Sequence, residues 1–146
     1  MNKNKTCNVL FLCTGNSCRS QMAEAWARHL GGERLEAQSA GIESHGKNPR
    51  AIEVMREAGI DISAQESVKL TDQMLALADY IVTVCGHADE NCPVLPAGVH
   101  KQHWPLHDPA KVTGSEDEIM AAFRESRDDI RGRVEDLIEG FKSNGR

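Results

Sequence analysis

At 146 residues the chain is the length of one ordinary domain, read as a single unit over 1–146, and it can bury a core without disulfide staples. Its formal net charge is −5 and its 17 basic residues are scattered rather than clustered, which speaks against nucleic acid as a partner. No apolar run is long enough to span a bilayer, and the first apolar stretch leads into a cysteine loop rather than a small-residue cleavage site, so the chain is expected to be cytoplasmic, off the membrane and monomeric. In that reducing compartment its five cysteines, three of them (Cys13, Cys18 and Cys92) in polar turn-like segments, point to catalysis or metal binding rather than to structural disulfides.

Val9–Leu12 reads as a short buried strand, and Ser20–Leu30 as a helix whose Met22, Trp26 and Leu30 recur every four residues until Gly31–Gly32 stops it. Leu35–Ala40 is a second strand, closed by Gly41. Pro49 suits the first turn of a helix with the stripe Ile52, Met55 and Ala58, ended by Gly59. Asp72–Leu77 reads as a helix, Tyr80–Cys85 as a fully buried β-branched strand, and Val99–Leu106 as a fourth strand limited by Pro105. Ser115–Phe141 is a long amphipathic helix with Ser115 and Glu118 as a capping box and Gly132 as a point where it could break. Strands alternating with helices predict an α/β fold with a parallel sheet covered on both faces. Ligands of such sheets lie beyond the carboxyl ends of the strands, where Cys13, Cys85 and the segment after Leu106 fall.

The stretch CTGNSCRS, from Cys13 to Ser20, joins the first strand to the first helix. Backbone N–H groups of such a loop, over Thr14, Gly15, Asn16, Ser17 and Cys18, can wrap an oxyanion, and the helix N-terminus adds a favourable dipole. Gly15 and Asn16 tolerate left-handed backbone. Arg19 supplies a planar fork that matches two oxygens of a tetrahedral anion. These surroundings favour a thiolate at Cys13 aimed at the anion's central atom, with Ser17 and Ser20 as hydroxyl donors to the loop or the sulfur. A buried structural cysteine and a surface arginine form the competing reading, which the agreement of strand, Gly-Asn turn and helix disfavours.

In VTVCGHADENCPVLP, Cys85 ends a strand and Cys92 follows after six residues. Gly86, Asn91 and Pro93 argue against a rigid helix between them, so rearrangement is expected to be easy. The pair can close a disulfide, or bind zinc with His87, His100 or His103, although the spacing is not that of structural zinc sites, or act as two unrelated thiols. In HWPLHDPA, Asp108 precedes Pro109. It can serve as a proton donor if it lies beside the Cys13 loop, or as a plain turn former.

These segments, with SAGIESHGKNP from Ser39, make the chain similar along nearly its whole length to the thioredoxin-coupled arsenate reductases, which share the fold of the low-molecular-weight protein tyrosine phosphatases. The resemblance implies a four-stranded parallel sheet with helices on both faces. It implies a three-cysteine relay: Cys13 attacks arsenate, Asp108 protonates the departing oxygen, Cys85 attacks Cys13 to release arsenite, and Cys92 attacks Cys85. Thioredoxin, or alternatively a glutaredoxin, then reduces the Cys85–Cys92 disulfide, with no bound cofactor. Each exchange is a thiolate attacking a disulfide sulfur. Cys18 would pack rather than carry electrons, and Cys7 has no relay role. Some members bind potassium through residues aligning with Asn16, Glu24 and Ser39 plus two donors that fall on Glu66 and Val68, the last of which has no side-chain oxygen. The rival functions are a tyrosine phosphatase, for which one tyrosine and two tryptophans make a poor aromatic wall, and a non-catalytic thiol module for arsenite or zinc, in which Arg19 has no purpose.

Overall fold

The computed structural model describes residues 6–143. Four strands, β1 (Cys7–Cys13), β2 (Leu35–Gly41), β3 (Tyr80–Thr83) and β4 (His100–His103), form one parallel sheet in the order β2-β1-β3-β4. Cys13 is paired with Gly41, Leu12 with Thr83, and Thr83 with His103. Val9, Leu10, Phe11 and Leu12 are all buried. Successive side chains of a strand point to opposite faces, so this run shows that both faces of the sheet are covered. β4 is an edge strand with largely exposed side chains and is shorter than the expected 99–106.

The helices are α1 (Arg19–Gly31), α2 (Pro49–Glu57), α3 (Asp72–Leu77), α4 (Gly86–Glu90) and α5 (Glu116–Ser143). α2 buries Ala51, Val54 and Met55 and packs Ile52 half-buried against the core, while Ala58 is exposed as its C-cap, so the expected 52/55/58 stripe fails at Ala58. The helix ends in a turn that rotates Ala58 outward, and Gly59 follows at φ 88°. α5 runs unbroken through Gly132. Its start is the expected capping box: Ser115 N–H donates to Glu118 Oε1 at 2.9 Å and Glu118 N–H to Ser115 Oγ at 3.1 Å. α5 locks onto α1, where Trp26 Nε1 donates to the Arg127 carbonyl at 3.1 Å and Arg131 stacks 5.0 Å from the Trp26 ring. It also locks onto α2 through Arg124 and Glu57.

β3 ends at Thr83 rather than Cys85, and the segment that follows departs further from the sequence reading. The segment after Cys85 is helical in the resting fold, as α4. Cys85 supplies its cap: Sγ accepts the Ala88 N–H at 3.3 Å. The glycine and proline cues bear on the ends of this turn and do not prevent it.

Chain order places β2 on one side of β1 and β3 on the other. The carboxyl ends of β1 and β3 therefore border the crevice where the winding reverses.

Candidate active site

The loop from Cys13 to Arg19 sits at that crevice. Its carbonyls are tied from outside. Cys13 O accepts from Ile42 N–H (3.0 Å), Thr14 O from Glu43 N–H (2.8 Å), Gly15 O from His45 N–H (2.9 Å) and Ser17 O from Asn48 N–H (2.9 Å). Asn16 O accepts from Gln21 Nε2 at 3.2 Å. In a trans peptide the N–H of the next residue points opposite to the carbonyl, so the amides of residues 14–18 are directed to the other side of the loop, as an anion cradle requires. Two glycines permit this closeness. A Cβ on Gly15 would lie 2.4 Å from His45 Nδ1, and one on Gly41 would lie 2.2 Å from the Glu43 carbonyl.

Asn16 is buried with φ 50°, the left-handed geometry expected of it. Its Oδ1 accepts from Val68 N–H (2.8 Å) and Gln21 Nε2 (3.2 Å), and its Nδ2 donates to Ser20 Oγ at 2.9 Å. Ser20 Oγ stands 2.9 Å from Cys13 Sγ. That oxygen accepts from Asn16 and also shares a hydrogen bond with the sulfur, in which either atom can donate. Of the two serines considered from sequence, Ser20 is the one on the sulfur.

Arg19 opens α1 and reaches across the crevice. Nη1 donates to the Leu106 carbonyl at 3.0 Å and the Val84 carbonyl at 3.4 Å, and Nη2 lies 3.5 Å from Asp108 Oδ2. Asp108 also keeps a turn-forming role, since its Oδ1 accepts the Ala110 N–H at 3.0 Å. The turn contact and the place beside Arg19 coexist in the fold. Cys18 is buried, and that burial, reinforced by Asp108, pushes its thiol far above the ordinary range despite Arg19, so it stays a protonated, packed thiol.

Cys85 lies beside the loop. The β1–β3 register continues past the strands, with Val84 N–H donating to the Leu12 carbonyl at 2.9 Å, and Thr14 Oγ1 is 3.2 Å from Cys85 Sγ. Cys13, Thr14, Arg19, Cys85 and Asp108 therefore converge. Cys92 does not: it follows the far end of α4, half-buried, its thiol pushed up by burial. Cys13, Cys18, Cys85 and Cys92 are free thiols.

The residues offered for potassium do not fit that ion. Both acceptor positions of Asn16 Oδ1 are filled, Glu24 Oε1 accepts the Ser39 hydroxyl at 2.5 Å, and Glu24 Oε2 is 2.6 Å from the Arg28 guanidinium. The Val68 carbonyl accepts the Gly41 N–H at 2.9 Å. Arg28 already supplies the positive charge beside Glu24, whose carboxyl burial nevertheless holds above the ordinary range. Among the described residues no group of three His, Cys, Asp or Glu side chains gathers to hold a metal.

Sequence reading missed the supports: Gln65 Nε2 donates to Gln21 Oε1 at 2.7 Å, and Gln21 in turn holds Asn16. Nothing local in the sequence marks a pairing across 44 residues.

A parallel sheet with a cysteine-headed, arginine-closed loop at its switch point defines an α/β protein of the phosphatase-like class. The chain belongs to the low-molecular-weight phosphotyrosine protein phosphatase family, whose profile matches residues 8–146. It is 48% identical over 134 residues to an arsenate reductase of Halalkalibacterium halodurans, covering 92% of this chain and 96% of that one. Among solved structures it is similar to an arsenate reductase in the phosphate-binding state (TM-score 0.76, 34% identity, 92% of this chain and 98% of that one). It is also similar to a thioredoxin-dependent arsenate reductase of Corynebacterium glutamicum (TM-score 0.77, 29% identity, 97% of this chain and 65% of that one).

Proposed function

We propose that the protein reduces arsenate to arsenite through Cys13, Cys85 and Cys92, in the cytoplasm, with thioredoxin as the reductant. The observation that carries this reading is the Thr14–Cys85 contact, which sets a second thiol against the loop that holds the first. Hydrolysis of a phosphate ester has no use for that thiol.

The chemistry follows from the geometry. The Cys13 thiolate, supported by Ser20, attacks arsenic held by the loop amides and Arg19. An As–S bond forms, and an oxygen leaves as water with a proton from Asp108. Cys85 then attacks the Cys13 sulfur. The S–As bond breaks with its electron pair staying on arsenic, which departs as arsenite, and a Cys13–Cys85 disulfide remains. Cys92 attacks Cys85, and Cys13 is released as thiolate.

That last transfer requires α4 to open. Cys85 and Cys92 flank the helix, and seven residues at about 1.5 Å each separate them by roughly 10 Å along its axis. A disulfide needs Cα atoms within about 7 Å. The helix has five residues, far below the roughly 12–15 at which a helix persists alone, so unwinding it is inexpensive. Val94, 97% exposed two residues beyond Cys92, gives the outward end of the relay an apolar surface for the reductant.

Arsenate turnover with thioredoxin, thioredoxin reductase and NADPH, compared with glutaredoxin and glutathione, tests the proposal. Arsenite is expected with the thioredoxin supply, and no turnover with either overturns the reading. The Cys92→Ser variant should release one arsenite per protein and then stall; continued turnover would remove Cys92 from the relay.

A further inference from the structure

The outward carbonyls of the Cys13 loop are not all held alike. Those of Cys13, Thr14, Gly15 and Ser17 accept backbone N–H groups of Ile42, Glu43, His45 and Asn48, contacts that no side-chain substitution deletes. The one at Asn16 accepts instead from a side chain, Gln21 Nε2, at 3.2 Å. Asn16 is also the one non-glycine residue with a positive φ among the described residues. The least favoured backbone of the loop thus leans on a replaceable group.

Gln21 stands on the first turn of α1 and is fully buried, where an amide is costly unless its atoms are paired. Nε2 meets Asn16 O and Oδ1, both at 3.2 Å, and the Glu66 carbonyl at 2.9 Å. Backbone atoms fix the sense of each amide. The Val68 N–H can only donate, so the Asn16 atom facing it is Oδ1. The Asn16 and Glu66 carbonyls can only accept, so the Gln21 atom facing them is Nε2, and Oε1 is left to accept from Gln65 Nε2 at 2.7 Å. Gln65 Nε2 also reaches the Gln21 carbonyl at 3.2 Å, which ties the brace to α1 itself.

We propose that Gln21 is a positioning residue for the oxyanion: by holding the Asn16 carbonyl it keeps the Asn16–Ser17 peptide turned so that the Ser17 N–H faces the bound anion.

The inference rests on the reading of the loop as an oxyanion site, not on the relay. In a trans peptide the direction of the Asn16 carbonyl sets that of the Ser17 N–H. With the carbonyl drawn outward, the donor is in place before the anion arrives. Without the Gln21 amide this one peptide is free to rotate, while its neighbours stay tied by their own backbone bonds. The Val68 N–H still holds Asn16 Oδ1, so Asn16 stays on Ser20 and Ser20 on the Cys13 sulfur. The loss therefore falls on anion affinity, which scales with the fraction of molecules whose cradle is complete.

Calorimetric titration of the reduced protein with inorganic phosphate, a tetrahedral oxyanion, tests this. Gln21→Met keeps the length of the side chain and removes its donor. Phosphate should bind about two- to tenfold more weakly, the scale of one hydrogen bond. Gln65→Met should weaken it less, and its effect should vanish in the Gln21→Met background, since it acts through Gln21. Cys18, buried in the same loop, reports loosening: iodoacetamide should leave it unmodified in both variants, as in wild type. Weaker phosphate accompanied by Cys18 alkylation marks a general loss of packing and overturns the inference. If Gln21→Met does not fold, Gln65→Met decides alone, because its side chain is only half-buried: unaltered affinity overturns the inference, and weaker binding with Cys18 protected upholds it. A wild type that binds no phosphate overturns the oxyanion reading and this inference with it. Wild-type binding with Gln21→Met unaltered overturns this inference alone.

Discussion

The Cys13 loop and α4 differ in how they are held. In the loop, the carbonyls of five successive residues are bonded from outside, and the buried Asn16 side chain is held by three partners, Ser20, Gln21 and Val68. α4 is a single turn, capped by a thiol and fastened to the sheet by Asp89. An oxyanion cradle needs donors that do not reorganise when charge develops. A thiol that must travel several ångströms to its target needs a backbone that yields at small cost. The relay joins the two kinds of structure at Cys85, which touches the loop through Thr14 and caps α4 through Ala88.

The largest expected effect breaks the rigid side of this contrast. Arg19→Lys keeps a positive charge but loses the planar fork and its bridge to the Leu106 and Val84 carbonyls. Single-turnover arsenite release should fall by about 10²–10³-fold, the scale of losing one preorganised donor. Release within a factor of two of wild type would mean that the loop amides suffice. The yielding side is sharpened by Gly86→Ala. A Cβ at Gly86 meets open space, and alanine favours helix by roughly 0.5–1 kcal/mol. Transfer from Cys85 to Cys92 should slow about two- to fivefold with arsenite release unchanged; faster transfer would show that α4 does not have to open. The smallest effect concerns neither step. Burial holds the Glu24 carboxyl above its ordinary value near 4.5, against Ser39 and Arg28. The folded protein therefore binds that proton more tightly than the unfolded chain, a contribution present below about pH 4.5 and lost as pH rises through the folded value. Glu24→Gln should gain stability relative to wild type between pH 4 and pH 7 in urea unfolding. A loss over that interval would make the Arg28 pair the stronger influence.

Much of this was legible from local pattern. β1, α1, β2 and α3 were expected within one or two residues because period, caps and glycine stops agree over short spans. The loop was legible because Cys13, Asn16 and Arg19 lie within seven residues of one another. What escaped reading joins distant segments or depends on packing: Gln65 behind Gln21, His45 against Gly15, Lys101 against Asp89. α4 was misread for another reason. Gly86 and Pro93 lower intrinsic helicity, but the Cys85 cap and the contacts of Asp89 to two strands, which no local pattern reveals, act in the other direction.

That Cys85 sulfur serves as the cap of α4 gives the protein an internal clock. The sulfur that accepts the Ala88 amide is the same atom that would bond Cys13 in the proposed relay, so the helix cap and the first disulfide draw on one atom. In the proposed relay the backbone thereby registers that arsenite has gone, and the path of the next electron donor loosens at the moment it is wanted and not before.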